Sequence, residues 1–159
     1  MEDLQRIVRR NRGRPGTAAT ALAALLLAGC GSEPSSDVPV GCKVAPAAVL
    51  RALAAAPGEV RLGGRRLSEC FAPGGEAGDV QALGLALVPA AERLAPQARA
   101  RPRGAAALRL GFLVGAVQRG AQRGRVYTEL ERRVRLELTG VDTSSPPYRR
   151  GLLAGRARG

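Results

Sequence analysis

The stretch AAALRLGFLVGAVQRG, at residues 105–120, is apolar on almost every side of a helix. A helix with this pattern is stable in water only when other elements cover it all round, so the stretch predicts the central helix of a core. Gly111 and Gly115 lie four residues apart on it, a spacing that lets a second helix approach the backbone closely. Because the stretch includes Arg109 and is short, it does not predict a membrane span.

Few aromatic side chains are available to fill a core, since the 159 residues include two Phe, two Tyr and no Trp. Small aliphatic side chains favour closely packed helices over a sandwich or barrel. The periodic apolar positions predict four main helices, and the double glycine in LGGR (residues 62–65) predicts a tight hairpin. We therefore expect a mainly α fold, a small bundle of about four helices with a short β-hairpin.

Three local predictions concern how these helices begin, bend and end. Asp79 is expected to be the N-cap of the second helix. Pro89 lies inside the same helix and is expected to kink or split it near Val88, because proline cannot donate a backbone hydrogen bond. Gly140 is expected to end the last main helix, and the basic, Pro/Gly-rich segment 141–159 to be a flexible tail.

The amino-terminal residues have the parts of a secretory signal. Residues 1–16 carry five arginines and two acidic side chains, and residues 17–27 consist only of Ala, Leu and Thr. This apolar segment is too short to span a bilayer as a stable anchor. It is followed by Leu27, Ala28, Gly29 and Cys30.

These four residues resemble the lipobox of bacterial lipoprotein signal peptides. The resemblance implies that the Cys30 thiol receives a diacylglyceryl group and that signal peptidase II, which recognises Leu27, Ala28 and Gly29, cleaves before it. Because two acyl chains anchor a protein stably, it also implies attachment to the extracytoplasmic face of the cell membrane. An ordinary secretory signal with a chance cysteine, or a buried Ala/Leu helix, is the alternative. The rest of the chain resembles the short Ala/Arg-rich lipoproteins of high-GC actinobacteria in composition only.

The chain then divides into four predicted parts. Residues 1–29 are the signal peptide, and residues 30–41, rich in Ser, Pro and Gly, are a flexible tether. Residues 42–140 are the helical domain, and residues 141–159 are the basic flexible tail.

Cys42 and Cys70 remain once Cys30 is lipidated, and an even pair in an exported domain predicts a disulfide. The alternatives are two buried thiols or a metal-binding pair. A metal site is disfavoured because the chain has no His and no C-x-x-C spacing.

Few groups in the sequence could perform catalysis. There is no His, and no thiol is left free when the three cysteines are used as above. Ser68 lies outside a G-x-S-x-G motif, and its remaining candidate base is Lys43, the only lysine. Glu69, Glu76 and Asp79 form a small acidic cluster without the aromatic platform that a sugar site uses. We predict a protein that is not an enzyme and has no cofactor and no metal.

The chain is strongly basic, with 25 Lys and Arg side chains against 13 Asp and Glu and a net charge of +12. The excess of Arg over Lys is typical of GC-rich codon usage, so solvated arginines without a specific role are one interpretation. A functional basic surface for anionic lipid, an envelope polymer or nucleic acid is the other. Nucleic acid is disfavoured because no binding motif or stacking aromatics accompany the arginines.

Together these features predict a lipid-anchored, non-enzymatic envelope protein whose helical domain acts as an interaction or structural module. It would contact the membrane through acylated Cys30. One alternative is a lipoprotein that binds a small apolar ligand between its helices. The other, which requires the signal interpretation to be wrong, is a basic nucleic-acid-binding protein.

Overall fold

The computed structural model describes residues 37–159. The predicted signal peptide, the lipidation site Cys30 and most of the predicted tether lie outside the described residues. Within them the chain forms five α-helices and a two-stranded antiparallel hairpin. The prediction of a mainly α bundle with a short β-hairpin is confirmed.

The helices are α1 (Pro46–Ala52), α2 (Ala77–Ala100), α3 (Ala105–Ala121), α4 (Thr128–Leu136) and α5 (Pro146–Arg158). Short 3₁₀ turns occupy Val40–Cys42, Leu53–Ala55, Leu67–Cys70 and Arg125–Tyr127. The strands are β1 (Arg61–Leu62) and β2 (Arg65–Arg66).

The hairpin turns at the double glycine, as predicted. Arg61 pairs with Arg66, and Leu62 pairs with Arg65. Gly63 and Gly64 both have positive φ, 54° and 81°, which the tight turn requires and which side chains with a Cβ disfavour.

α3 is the central helix, because α2, α4 and α5 all pack against it and cover its apolar side chains. Leu110, Phe112 and Leu113 have no exposed surface. Beside α3, the rings of Phe71 and Tyr127 meet edge to face with centroids 5.0 Å apart. The Tyr127 hydroxyl donates a 2.8 Å hydrogen bond to the carbonyl of Ala72, which satisfies this buried polar group.

The prediction of a flexible tail at residues 141–159 is wrong. Residues 146–158 form α5, which buries Tyr148, Gly151, Ala154 and Gly155 against the rest of the domain. The buried face of α5 consists largely of small residues, so it lacks the stripe of large apolar side chains by which a core helix is recognised.

α2 is one continuous helix through Pro89 and Pro96, so the prediction that Pro89 splits it near Val88 is wrong. The other expectation, a kink, stays a prediction. A proline within a helix leaves the carbonyl four residues earlier without its N–H partner. Those carbonyls belong here to Leu85 and Glu92, both exposed, where water can solvate them.

The start of α2 also differs from the prediction. Glu76, not Asp79, occupies the N-cap position, and it makes no side-chain capping bond. Asp79 lies in the first turn, where its Oδ2 accepts a 3.1 Å hydrogen bond from the backbone N–H of Val38. Because Val38 is 1% exposed, the packed domain already includes residue 38, inside the predicted tether.

Candidate functional site

Of the predicted site residues, Leu27, Ala28, Gly29 and Cys30 lie outside the described residues. The other two, Cys42 and Cys70, are joined by a disulfide with their Cα atoms 5.6 Å apart. Both are buried. The bond joins the 3₁₀ turn at the start of the domain to the turn that follows the hairpin.

The one nucleophile–base pair considered from the sequence is not assembled. The Ser68 hydroxyl is buried and donates a hydrogen bond to the carbonyl of Gly159. The Lys43 ammonium lies 2.7 Å from Oδ1 of Asp79. Each group is therefore engaged with another partner.

Two of the three acidic side chains singled out from the sequence, Glu69 and Asp79, are paired with basic neighbours. The backbone N–H of Arg66, 3.0 Å from Oε2 of Glu69, and the Arg66 guanidinium lower the pKa of that carboxyl. Lys43 and the Val38 N–H lower the pKa of Asp79, and Asp79 in turn raises the pKa of Lys43. In residues 37–159, no group of three or more Cys, Asp or Glu side chains is arranged to hold a metal ion.

Asp79 links the start of the domain to α2, so we expect Asp79→Asn to destabilise the protein at neutral pH. A carboxyl whose pKa is lowered on folding stabilises the fold above its unfolded pKa, and this stabilisation is lost as the pH falls below about 4. Urea unfolding at a series of pH values should give a lower free energy of unfolding for the variant than for wild type at pH 7. The two free energies should converge in acid. A constant difference between the two proteins down to low pH would contradict the ion-pair explanation.

α3 and α5 pack backbone to backbone through glycines. A methyl group at Gly111 would overlap the carbonyl oxygen of Tyr148, and one at Gly115 would overlap that of Leu152. Because successive glycines of α3 meet successive turns of α5 in the same order, the two helices run parallel.

The contact is reciprocal. A methyl group at Gly151 would overlap the carbonyl oxygen of Leu108, and one at Gly155 would overlap that of Phe112. Gly159 continues the same series one turn later against Ala116. The prediction that a neighbouring helix approaches Gly111 and Gly115 is thereby confirmed.

α3 also satisfies the carboxyl end of α5. The Arg119 guanidinium donates to the carbonyls of Arg156 and Ala157, at 2.7 and 2.9 Å. A cation at this position offsets the partial negative charge at the end of a helix. The Arg156 side chain donates to the Gln118 amide oxygen at 2.8 Å.

The side of α5 turned away from α3 is basic with an apolar centre. Leu153 is 63% exposed, and exposed arginines surround it on the same helix face. We define the α5 outer face by these residues: Arg149, Arg150, Leu153 and Ala157. An open groove of about 640 Å³ lies along this face and reaches Pro57.

Acidic side chains are unevenly distributed along the chain. Eight arginines lie between Glu92 and Glu129 with no acid among them, and four more follow Asp142, again with none. Of the five ion pairs among the described residues, two lie on α4 and three involve residues before or at the start of α2. The arginines of α3 and α5 take part in none of these pairs.

Sequence reasoning missed the α5 outer face because it treated that segment as a tail. The signal that could have revealed the helix is the spacing of Gly151, Gly155 and Gly159, which repeats the spacing of Gly111 and Gly115. Two sets of glycines at intervals of four are what a close helix pair requires.

Comparison of the chain with protein-family models, curated proteins and solved structures gives no match. Among the described residues, no helix has the length and hydropathy needed to cross a bilayer.

Proposed function

We propose that this protein is a lipid-anchored envelope protein whose helical domain is a non-enzymatic interaction module. The observation that carries the proposal is the sequence Leu27-Ala28-Gly29-Cys30 at the end of an apolar segment. Acylation of Cys30 would hold the domain on the extracytoplasmic face of the membrane. The disulfide supports this location, because such bonds persist in oxidising compartments and are rare in the cytosol.

The distribution of charge supports an interaction module. The side chains considered for catalysis, Ser68, Lys43 and Glu69, are engaged in contacts that hold the fold together. Arg149 and Arg150 of α5, in contrast, are exposed and form no ion pair among residues 37–159. Charges of this kind at the surface are available to an anionic partner.

The alternative of a small apolar ligand between the helices has less support. α3 and α5 meet through their backbones, which leaves no room for a ligand between these two helices. The grooves that residues of these two helices line, of about 360 to 670 Å³, are open to solvent and have arginines at their rims. Such a shape suits contact with a charged surface better than enclosure of an apolar molecule.

Cys30→Ala is expected to abolish the membrane anchor. Wild-type protein expressed in full should be found with membranes, begin at Cys30 and carry the additional mass of a diacylglyceryl group. The variant should keep its signal segment and lack that mass, because acylation requires the thiol. Intact mass spectrometry of the fractionated protein measures both properties.

The matched control is Cys42→Ala with Cys70→Ala, which removes the other two cysteines and should leave the lipid mass in place. Wild-type protein that stays soluble with Met1 intact would contradict the anchor. The nucleic-acid alternative would then become the leading explanation of the net charge of +12.

A further inference from the structure

The arginines of the α5 outer face have no carboxylate partners among residues 37–159. Arg149 and Arg150 are exposed and form no ion pair among residues 37–159. α4 provides the contrast, since Arg132 and Arg135 lie 2.7 and 3.5 Å from Glu129 and Glu131. α4 has three arginines, of which only Arg133 is without an ion pair, whereas none of the four arginines of α5 forms one among residues 37–159.

An apolar side chain lies at the centre of this charge. Leu153 is 63% exposed, one helical turn after Arg149 and one turn before Ala157. Exposing a leucine to water is unfavourable. An exposed leucine with arginines around it is suited to a partner in which phosphate groups lie above an apolar layer. A lipid headgroup layer has that structure.

The position of α5 in the fold suits contact with the membrane beside the anchor. The carboxyl end of α5 is fixed by the bond from Ser68 to Gly159, and Ser68 lies two residues from Cys70. Cys70 is bonded to Cys42, at the start of the domain. The chain from Cys30 to Val38 spans at most about 28 Å, so the side of the domain near Cys42 would remain close to the bilayer.

We propose that the α5 outer face docks on the anionic headgroup layer of the membrane in which Cys30 is anchored. The guanidinium groups of Arg149 and Arg150 bind lipid phosphates, for which their planar donor geometry is suited. Leu153 enters the boundary between headgroups and acyl chains. The location of this surface at a membrane rests on the proposed function, whereas its affinity for anionic lipid is a property of the domain alone.

The test uses the full chain with Cys30→Ala and an oxidised disulfide, so that no acyl anchor contributes. Because every protein compared keeps the same signal segment, the differences between variants report the folded domain. Binding is measured by co-sedimentation at low ionic strength with vesicles of phosphatidylcholine and with equimolar phosphatidylcholine and phosphatidylglycerol. We expect strong preference for the anionic vesicles and loss of binding at high salt. Arg149→Gln with Arg150→Gln should weaken partition into them about 30-fold, the effect of two charges near an anionic surface.

Two matched controls separate this surface from net charge and general hydrophobicity. Arg132→Gln with Arg135→Gln removes the same charge from α4 and should weaken binding by about threefold or less, because those arginines already have carboxylate partners. Leu153→Ser should weaken binding by about tenfold. Leu136→Ser, at a leucine that is 56% exposed on α4, should leave it unchanged. Thermal unfolding verifies that all four variants remain folded.

Equal binding to both vesicle types, or equal loss in the α4 and α5 arginine variants, would overturn the proposal. Loss of binding to a DNA duplex in the α5 variant with vesicle binding unchanged would instead assign the surface to nucleic acid. Because the vesicle measurement contains no anchored protein, it can fail while the mass of wild-type protein still shows a lipid on Cys30. Conversely, the domain can bind anionic vesicles while wild-type protein carries no lipid on Cys30, so the two proposals are tested separately.

Discussion

Gly111→Ala is expected to destabilise the protein by about 3 kcal/mol or more, at the upper end of the usual cost of overpacking. The new methyl group would overlap the carbonyl oxygen of Tyr148 and lie 3.0 Å from the backbone nitrogen of Leu152. Backbone atoms inside a helix cannot rotate away as a side chain can. The two helices would have to separate, and the contacts along the whole α3–α5 pair would loosen together.

Gly78→Ala is the matched control for this change. Gly78 also lies in a helix, α2, but nothing surrounds the position of its missing Cβ within 4 Å. Alanine should therefore stabilise α2 there by roughly 0.5–1 kcal/mol, because it restricts the unfolded chain and favours helix. Urea unfolding of both variants measures the two free energies of unfolding. A Gly111→Ala variant as stable as Gly78→Ala would refute the backbone contact.

Gly155→Ala extends the test to the other helix. It should be about as harmful as Gly111→Ala, since its methyl group would meet the carbonyl of Phe112 on the same contact. The Gly111→Ala, Gly155→Ala double variant should lose less free energy of unfolding than the sum of the two single losses. Helices already forced apart by one methyl group have room for the second. Strict additivity would show that the two glycines do not share one interface.

Cys42→Ala with Cys70→Ala is expected to lower the free energy of unfolding by about 3–4 kcal/mol. The two cysteines are 28 residues apart. The cross-link lowers the conformational entropy of the unfolded chain by an amount that grows with the logarithm of the number of residues in the closed loop. This loss is a large share of the free energy of unfolding of a small domain, which is typically about 5–15 kcal/mol. The bond also holds the first turn of the domain against the turn that follows the hairpin.

Urea unfolding with and without a reducing agent measures this contribution. The reductant should lower the midpoint of the wild type and leave that of the double variant unchanged. Wild-type protein that is insensitive to reductant, and that shows two more reactive thiols than the double variant after unfolding under non-reducing conditions, would show that Cys42 and Cys70 are not bonded.

Part of this fold followed directly from local sequence. α3 was predictable because its apolar residues leave few polar positions, so a buried location is the only stable one. The hairpin was predictable because two adjacent glycines supply the positive φ angles that the turn needs. The disulfide was predicted from the parity of the cysteines, since the lipidation expected at Cys30 would leave a single pair.

Predictions that depended on partners elsewhere in the chain were wrong. Asp79 was expected to cap α2, and it instead binds Val38 and Lys43, which lie about forty residues away in sequence. Pro89 was expected to kink or split α2, and the helix continues past it without a split. Leu85, whose carbonyl the proline leaves without an N–H partner, is 66% exposed, so water can solvate that carbonyl. Neither outcome can be inferred from the neighbouring residues, because each is set by what lies beside the helix in space.

α5 shows most directly what tertiary structure alone decides. Its buried face is made of glycines, which contribute no apolar side chain to a periodic pattern, and its prolines and arginines suggest a tail. The helix is stabilised by close contact with Gly111 and Gly115, a contact that exists only once α3 is folded and central. The sequence by itself determined that α3 would be buried and that a helix could approach it closely. The tertiary structure decided that α5 is that helix, because close backbone packing depends on the fit of two surfaces rather than on the hydrophobicity of either.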